Sequence, residues 1–207
     1  MPVFEIFPTA VKIEQLKIAQ TDLDKILQLA HDKENLNKNT KGNFFHNQTY
    51  IFDEVLKGSQ LVEDVSKAID EYTVDVLGEE PKIRYTQSWL NVNPPGSGHH
   101  KHLHYNSILS GVLYIQTNDD CGDFVVHQEE EKRMFKTAIT QYNRYNQTTC
   151  NFKPKNNELY IFPSTLHHSV MRNRSLESRI SLSFNTFYAG DIERYQLADL
   201  KFSRFNS

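Results

Sequence analysis

The sequence predicts a mainly β body, an antiparallel barrel or jelly roll, with helices packed outside it. Beyond Gly78 the chain breaks into short β-rich runs bounded by Pro, Gly, Asn or Asp: "KIRYTQSWLNVN", "ILSGVLYIQT", "GDFVVH", "NELYIFP", "HSVMRN" and "SRISLSFNTFY". Before Gly78, two segments carry helical periodicity instead. The 207 residues, 38% of them hydrophobic, suffice for one sizeable core and are few for two. The expectation is a single domain over residues 1–207, with a helical N-terminal flank to residue 80 and a β core over residues 81–190.

At the start, "VFEIF" and then Val11, Ile13, Leu16 and Ile18 alternate with polar residues around Pro8, which suggests one or two edge-like strands. "TDLDKILQLAHDK" places Leu23, Ile26, Leu27 and Ala30 on one face, with Thr21 and Asp24 arranged like a capping box, and is expected to be a helix. "ENLNKNTKGN", residues 34–43, is polar and rich in turn formers, and reads as a mobile connection. Between Ser59 and Gly78, the residues Leu61, Val65, Ile69, Tyr72 and Val76 recur at helical spacing and predict a second helix. Residues 127–157 separate two strand runs by more than a hairpin needs, so they are either a lid or a surface excursion.

The net charge of −3 carries no basic excess, so nothing points to a nucleic-acid backbone or an anionic membrane. No run approaches the roughly 18 apolar residues a membrane span needs, and the N-terminus lacks the pattern of a secretory signal, so a cytoplasmic protein is expected. Cys121 and Cys150 show no CxxC spacing and are expected as free thiols. The sequons at Asn47, Asn146 and Asn173 are then chance matches.

The feature richest in chemistry is "GHHKHLHYN", which holds His99, His100, His102 and His104. Residues two apart on an extended chain point the same way, so His100, His102 and His104 share a face and two of them can bind one ion. Alone, such a tract is as compatible with a solvated loop. A second feature, "YIFPSTLHHSVMRN", puts His167 and His168 after a strand and a turn, where one of them can approach from across a sheet. A third is "RISLSF": Arg179, Ser181, Ser183 and Asn185 fall on one face of a strand and Ile180, Leu182 and Phe184 on the other. A guanidinium beside a hydroxyl can grip a carboxylate in two-pronged fashion, although such a face is also ordinary exposed strand.

With these motifs the chain resembles the iron(II)- and 2-oxoglutarate-dependent dioxygenases, and more narrowly a group of such oxygenases found in bacterial and phage genomes. The resemblance runs through "SWLNVNPPGSGHHKHLHYNSILSGVLYI" and "NELYIFPSTLHHSVMRNRSLESRISLSFNTF", is strongest over Ile83 to Tyr188, and extends to "FEIFPTAVK". It implies a double-stranded β-helix (a jelly-roll, cupin-like core) that binds Fe(II) and 2-oxoglutarate and uses dioxygen. It also implies oxidation of a substrate, typically hydroxylation, coupled to decarboxylation of 2-oxoglutarate to succinate and CO2. By the same resemblance His102 is the first iron ligand and His168 the distal one, with His167 as the fallback. Arg179 and Ser181 match the RxS element that holds the distal carboxylate of 2-oxoglutarate, and Tyr114 sits where a tyrosine often reaches that carboxylate or is simply a core aromatic.

His104 departs from the pattern, because it stands where the superfamily has Asp or Glu. It is a third imidazole ligand, or a neighbour of a two-histidine site, or a carboxylate such as Asp123 completes the set. Two rival classes remain: a cupin-type metalloenzyme that does not use 2-oxoglutarate, and a non-catalytic metal- or ligand-binding β-barrel. The cupin pattern lacks its glutamate in "YNSIL" and its later glycine after proline, and a structural metal needs no carboxylate clamp. The prime substrate is not legible. Tyr85, Gln87, Trp89, Asn91 and Asn93 alternate onto one strand face and are candidates for its mouth, with Trp89 equally suited to the core.

Overall fold

The computed structural model describes residues 2–39, 42–128, 138–192 and 200. It opens with strand β1 (Lys12–Gln15), helix α1 (Gln20–His31), a 3-10 turn and strand β2 (Leu36–Lys38). Strand β3 (Phe44–His46), the short helix α2 (Ile51–Glu54) and helix α3 (Gln60–Tyr72) follow. The β body comprises β4 (Ile83–Asn93), β5 (His99–His102), β6 (Leu109–Gln116), β7 (Phe124–His127), β8 (Thr149–Phe152), β9 (Glu158–Pro163), β10 (His168–Val170) and β11 (Arg179–Tyr188).

The strands form two antiparallel sheets, one of seven strands in the order β1-β9-β6-β11-β4-β3-β2 and one of four in the order β5-β10-β7-β8. Helices cover the outer face of the larger sheet. There Ile26 of α1, Phe52 of α2 and Val65 and Ile69 of α3 share one core with Leu90, Leu113, Leu182 and Phe184. Between the sheets lies a smaller cluster of Val112, Tyr114, Phe124, Tyr160 and Phe162. Strand β6 is therefore covered on both faces, which is why "LSGVLYI" is apolar almost throughout rather than alternating. Gly111 lets the ring of Phe184 lie against β6, since a Cβ there would meet Phe184 Cζ at 2.1 Å.

Several expectations are met and several corrected. The periodic segment after Ser59 is α3, with Ser59 Oγ accepting from Val62 N, and it ends through a π-helical turn at Gly78 in the left-handed region. Val76, expected on its buried face, is exposed because that turn rotates it outward. Helix α1 forms, but its cap position is Ala19 and no side chain caps it, so Thr21 and Asp24 make no capping box. Residues 34–43 are not merely a connection: β2 lies among them and pairs with β3. The segment "VFEIF" is not a strand; β1 begins at Lys12 and sits at the edge of its sheet, as expected of the opening. In the 127–157 stretch, β8 pairs with β7 and completes the smaller sheet, while residues 129–137 lie outside the described residues. Among the described residues, no helix is long and apolar enough to cross a membrane.

Candidate active site

The cavity between the two sheets is about 90 Å³ and is floored by β4 and β11. Their antiparallel register sets Asn93 opposite Arg179, Asn91 opposite Ser181, Trp89 opposite Ser183 and Gln87 opposite Asn185. The polar face read from "RISLSFN" thus lies beside a polar face of β4 on the same side of the sheet, while Ile180, Leu182 and Phe184 enter the main core. Beyond Gln87 the register shifts by a bulge, so Tyr85 leaves this face and packs edge-on against Phe52, 5.2 Å between ring centres. Tyr85 therefore packs, partly buried, against the main core and is not part of the mouth. Trp89 does line the cavity, its ring centre 5.7 Å from that of His104.

Arg179 is 2% exposed. One guanidinium nitrogen donates to the carbonyl oxygens of Gly122 at 3.2 Å and Cys121 at 3.4 Å, while Nε is buried with no partner. Among the described residues no carboxylate pairs with it. Burial lowers its pKa, partly offset by Tyr114 and Cys121. A buried cation without a counter-charge is costly, so this geometry fits an anion supplied from outside the chain. Ser181 lies beside it and pairs in register with Tyr114, because a second bulge sends Ile115 to the opposite core. The Tyr114 ring is 6.0 Å from the guanidinium carbon, and burial pushes its hydroxyl pKa far up, so it stays a protonated donor. Gly122 has φ 90°, and a Cβ there would meet the Met171 carbonyl oxygen at 2.2 Å, so only glycine presents this carbonyl to Arg179.

At the other end of the cavity His102, His104 and His168 converge, each with one ligand atom within 4.8 Å of the others'. β5 and β10 pair with His102 directly opposite His168, which holds their ring centres 4.2 Å apart. Each imidazole is held through Nδ1. His168 Nδ1 donates to Leu166 O at 2.9 Å and His102 Nδ1 to His100 O at 2.8 Å. His104 Nδ1 donates to Asn185 Oδ1 at 2.6 Å, with Ser110 Oγ at 2.9 Å. A neutral imidazole carries one N–H, so these bonds leave each Nε2 with its lone pair available to a metal. Burial is the first cause of lowered imidazole pKa values, to about 4 at His102 and about 3 at His168, with His104 also lowered, so all three are neutral at pH 7.

His167 is not part of this group, and neither is Asp123, whose carboxylate accepts from Asn151 at 3.3 Å. His99 and His100 sit outside it: His99 Nδ1 lies 3.1 Å from His102 Nδ1, and His99 and His100 stack at 4.7 Å. A groove of about 520 Å³ adjoins the histidines, bordered by Asn43, Phe45, Gln87, Trp89, Asn91, His100, Tyr105 and Asn185. Among the described residues no Lys, Arg, Asp or Glu lines it. Asn43, whose buried Oδ1 has no partner, joins groove and cavity, and Asn93 Nδ2 is likewise buried and unpartnered in the cavity. Asn43, Ser110 and Gly122 escaped the sequence reading, because each serves through a long-range contact that leaves no local pattern.

Residues 87–185 match a family model described as "Putative 2OG-Fe(II) oxygenase". No curated protein shows significant similarity to the chain. Solved structures do. The chain spans 55% of an oxidoreductase of the 2OG-Fe(II) oxygenase family from Burkholderia pseudomallei, over 60% of its own length at 17% identity and a TM-score of 0.45. A Pseudomonas putida prolyl-4-hydroxylase is similar over 88% of this chain and 94% of that one, at 17% identity and a TM-score of 0.55. The non-heme alpha ketoglutarate dependent carbocyclase SnoK from nogalamycin biosynthesis gives a TM-score of 0.60 at 10% identity, over 88% of this chain and 81% of that one.

Proposed function

We propose that this chain is a 2OG-Fe(II) oxygenase, as the family model matching residues 87–185 supports, that His102, His104 and His168 hold the iron, and that Arg179, Ser181 and Tyr114 hold 2-oxoglutarate. The observation that carries the second half is the buried, unpaired guanidinium of Arg179 at the end of the cavity away from the histidines. A dicarboxylate reaching from one end to the other supplies the missing anion. Iron(II), 2-oxoglutarate and dioxygen together supply the oxidative decarboxylation to succinate and CO2 that is coupled to oxidation of the substrate.

The chain's own residues orient and exclude. Arg179 and the hydroxyls of Ser181 and Tyr114 fix the distal carboxylate by charge-assisted hydrogen bonds and so set the angle of the keto acid end. Three neutral imidazoles would fit a borderline divalent ion and would bring it no negative charge, leaving charge balance to an anionic cosubstrate. Val112, Phe124 and Phe162 line the inner wall and keep water away. Trp89 closes the side nearest His104.

The prime substrate enters from this groove, which has amide donors and acceptors with aromatic walls and, among the described residues, no Lys, Arg, Asp or Glu to pair with a phosphate or a free amino acid. We assign an uncharged group to the reacting end, hydroxylated in a single domain of residues 1–207. The free thiols of Cys121 and Cys150 suit the cytoplasm. Since one similar structure is a prolyl-4-hydroxylase, peptidyl proline is one probe for a succinate-release screen alongside nucleosides and neutral metabolites.

Anaerobic titration with iron(II) and then 2-oxoglutarate tests the core of this reading. A weak visible charge-transfer band and uncoupled succinate release in air are expected. Iron bound with neither band nor turnover overturns it.

A further inference from the structure

We propose that His99, His100 and His102 form a second, outer metal site that competes with the inner triad for His102, so that a zinc-like ion in the outer site disables the inner one. The proposal rests on His102 being an inner ligand, as argued above, but its first test does not.

The three outer histidines each offer a ring nitrogen within 4.8 Å of the others. Two of those nitrogens, Nδ1 of His99 and Nδ1 of His102, already stand 3.1 Å apart. Two imidazoles sharing one ion at roughly 2.0–2.1 Å each place their nitrogens about 3 Å apart, so this separation suits a common metal. His100 stacks on His99 and is the exposed member, at the mouth where an ion arrives. A site of imidazoles alone, with no carboxylate, suits zinc, nickel or copper better than magnesium or calcium.

Competition follows from proton count. In the inner arrangement His102 keeps its proton on Nδ1, donated to His100 O, and Nε2 is the ligand. An ion on the outer side takes the Nδ1 lone pair. Nδ1 then gives up its proton to solvent and Nε2 acquires one, so the ring stays neutral but Nε2 can no longer bind the inner metal. One ring therefore serves one ion at a time. The inner triad is left with His104 and His168.

Zinc binding to the untagged, full-length chain with His168→Ala tests the outer site alone. One zinc per chain is expected by equilibrium dialysis, with at least a tenfold loss of affinity when His100→Ala is added. Equal affinity in the two variants overturns the outer site. His104→Ala provides the same comparison should His168→Ala fold poorly. Competition is read separately by long-range ¹H–¹⁵N spectra of the histidine rings. Zinc added to His168→Ala is expected to convert His102 from the Nδ1–H to the Nε2–H tautomer, and an unchanged tautomer overturns the exclusion. In the wild type, zinc should displace iron at a concentration at least tenfold lower than in His100→Ala. Equal concentrations would mean that zinc simply replaces iron on the inner triad.

Discussion

His104 donates from Nδ1 to Asn185 Oδ1 at 2.6 Å, a contact between residues 81 positions apart that joins the end of the histidine cluster to β11. Asn185 Oδ1 also accepts from Ser110 Oγ at 2.9 Å, so the His104 imidazole is oriented from two strands. Asn185→Ala frees that ring. Partners that orient metal-ligating histidines are typically worth about 10–100-fold in metal affinity, and a loss in that range is expected by competition dialysis with iron(II). Unchanged affinity would mean His104 is not a ligand.

The proposed role of His104 can be tested directly. His104→Asp introduces a carboxylate but removes the donor that Asn185 accepts from, placing two oxygens face to face as long as Ser110 holds the Asn185 amide in its present orientation. Weaker iron binding than in the wild type is expected, and recovery on adding Asn185→His or Asn185→Lys would identify that repulsion as the cause. Tighter binding in the single variant would show that the pocket prefers a carboxylate.

Arg179→Met leaves the metal group untouched and removes the cation at the far end of the cavity. A lost charge-assisted pair is worth about 1.5–3 kcal/mol, so the KM for 2-oxoglutarate should rise roughly tenfold to 150-fold while iron affinity without cosubstrate stays constant. Stability should not fall in proportion, because no carboxylate among the described residues pairs with the buried guanidinium. An unchanged KM would remove Arg179 from the clamp.

Acid should weaken the metal-free fold well above the carboxylate range. Burial lowers the pKa of His99 and His102 to about 4 and that of His168 to about 3, against an ordinary 6.5. Between those values the unfolded chain binds protons that the folded chain refuses, so stability is fully present above 6.5 and declines as the pH falls toward 4. Glu71 and Glu80, held low by Lys12 and Lys82, add to the loss only below 4.5. The urea midpoint of the metal-free chain should drop between pH 7 and pH 5, and His168→Leu should flatten that drop. A midpoint constant over this range would contradict neutral buried imidazoles.

Gly111→Ala pushes a methyl group into the Phe184 ring, which is wholly buried against Phe52. Overpacking of this kind costs about 1–3 kcal/mol, to be read as a lower urea midpoint with an unchanged slope. The backbone of Gly111 borders the cavity but the added methyl would point into the Phe184 ring, so thermal and urea stability are the readout.

Much of the fold was legible because period and punctuation are local. The alternation of "RISLSF" set which residues face the cavity, and the 3.6-residue period after Ser59 set α3. The grouping of His102 and His104 with a distant histidine was legible for the same reason, since strands carry their side chains at fixed spacing. What the sequence alone determined is the inventory: β body, outer helices, three imidazoles and an arginine face. Tertiary structure decided the rest. The register of β5 on β10 chose His168 over His167, and a bulge opposite Asn185 moved Tyr85 from the mouth to the core. The closure of Gly122 and Cys121 over Arg179 gave its guanidinium carbonyl partners and, among the described residues, no carboxylate. Each depends on contacts between strands far apart in the chain, where a shift of one residue reverses the face and no local pattern records which register wins.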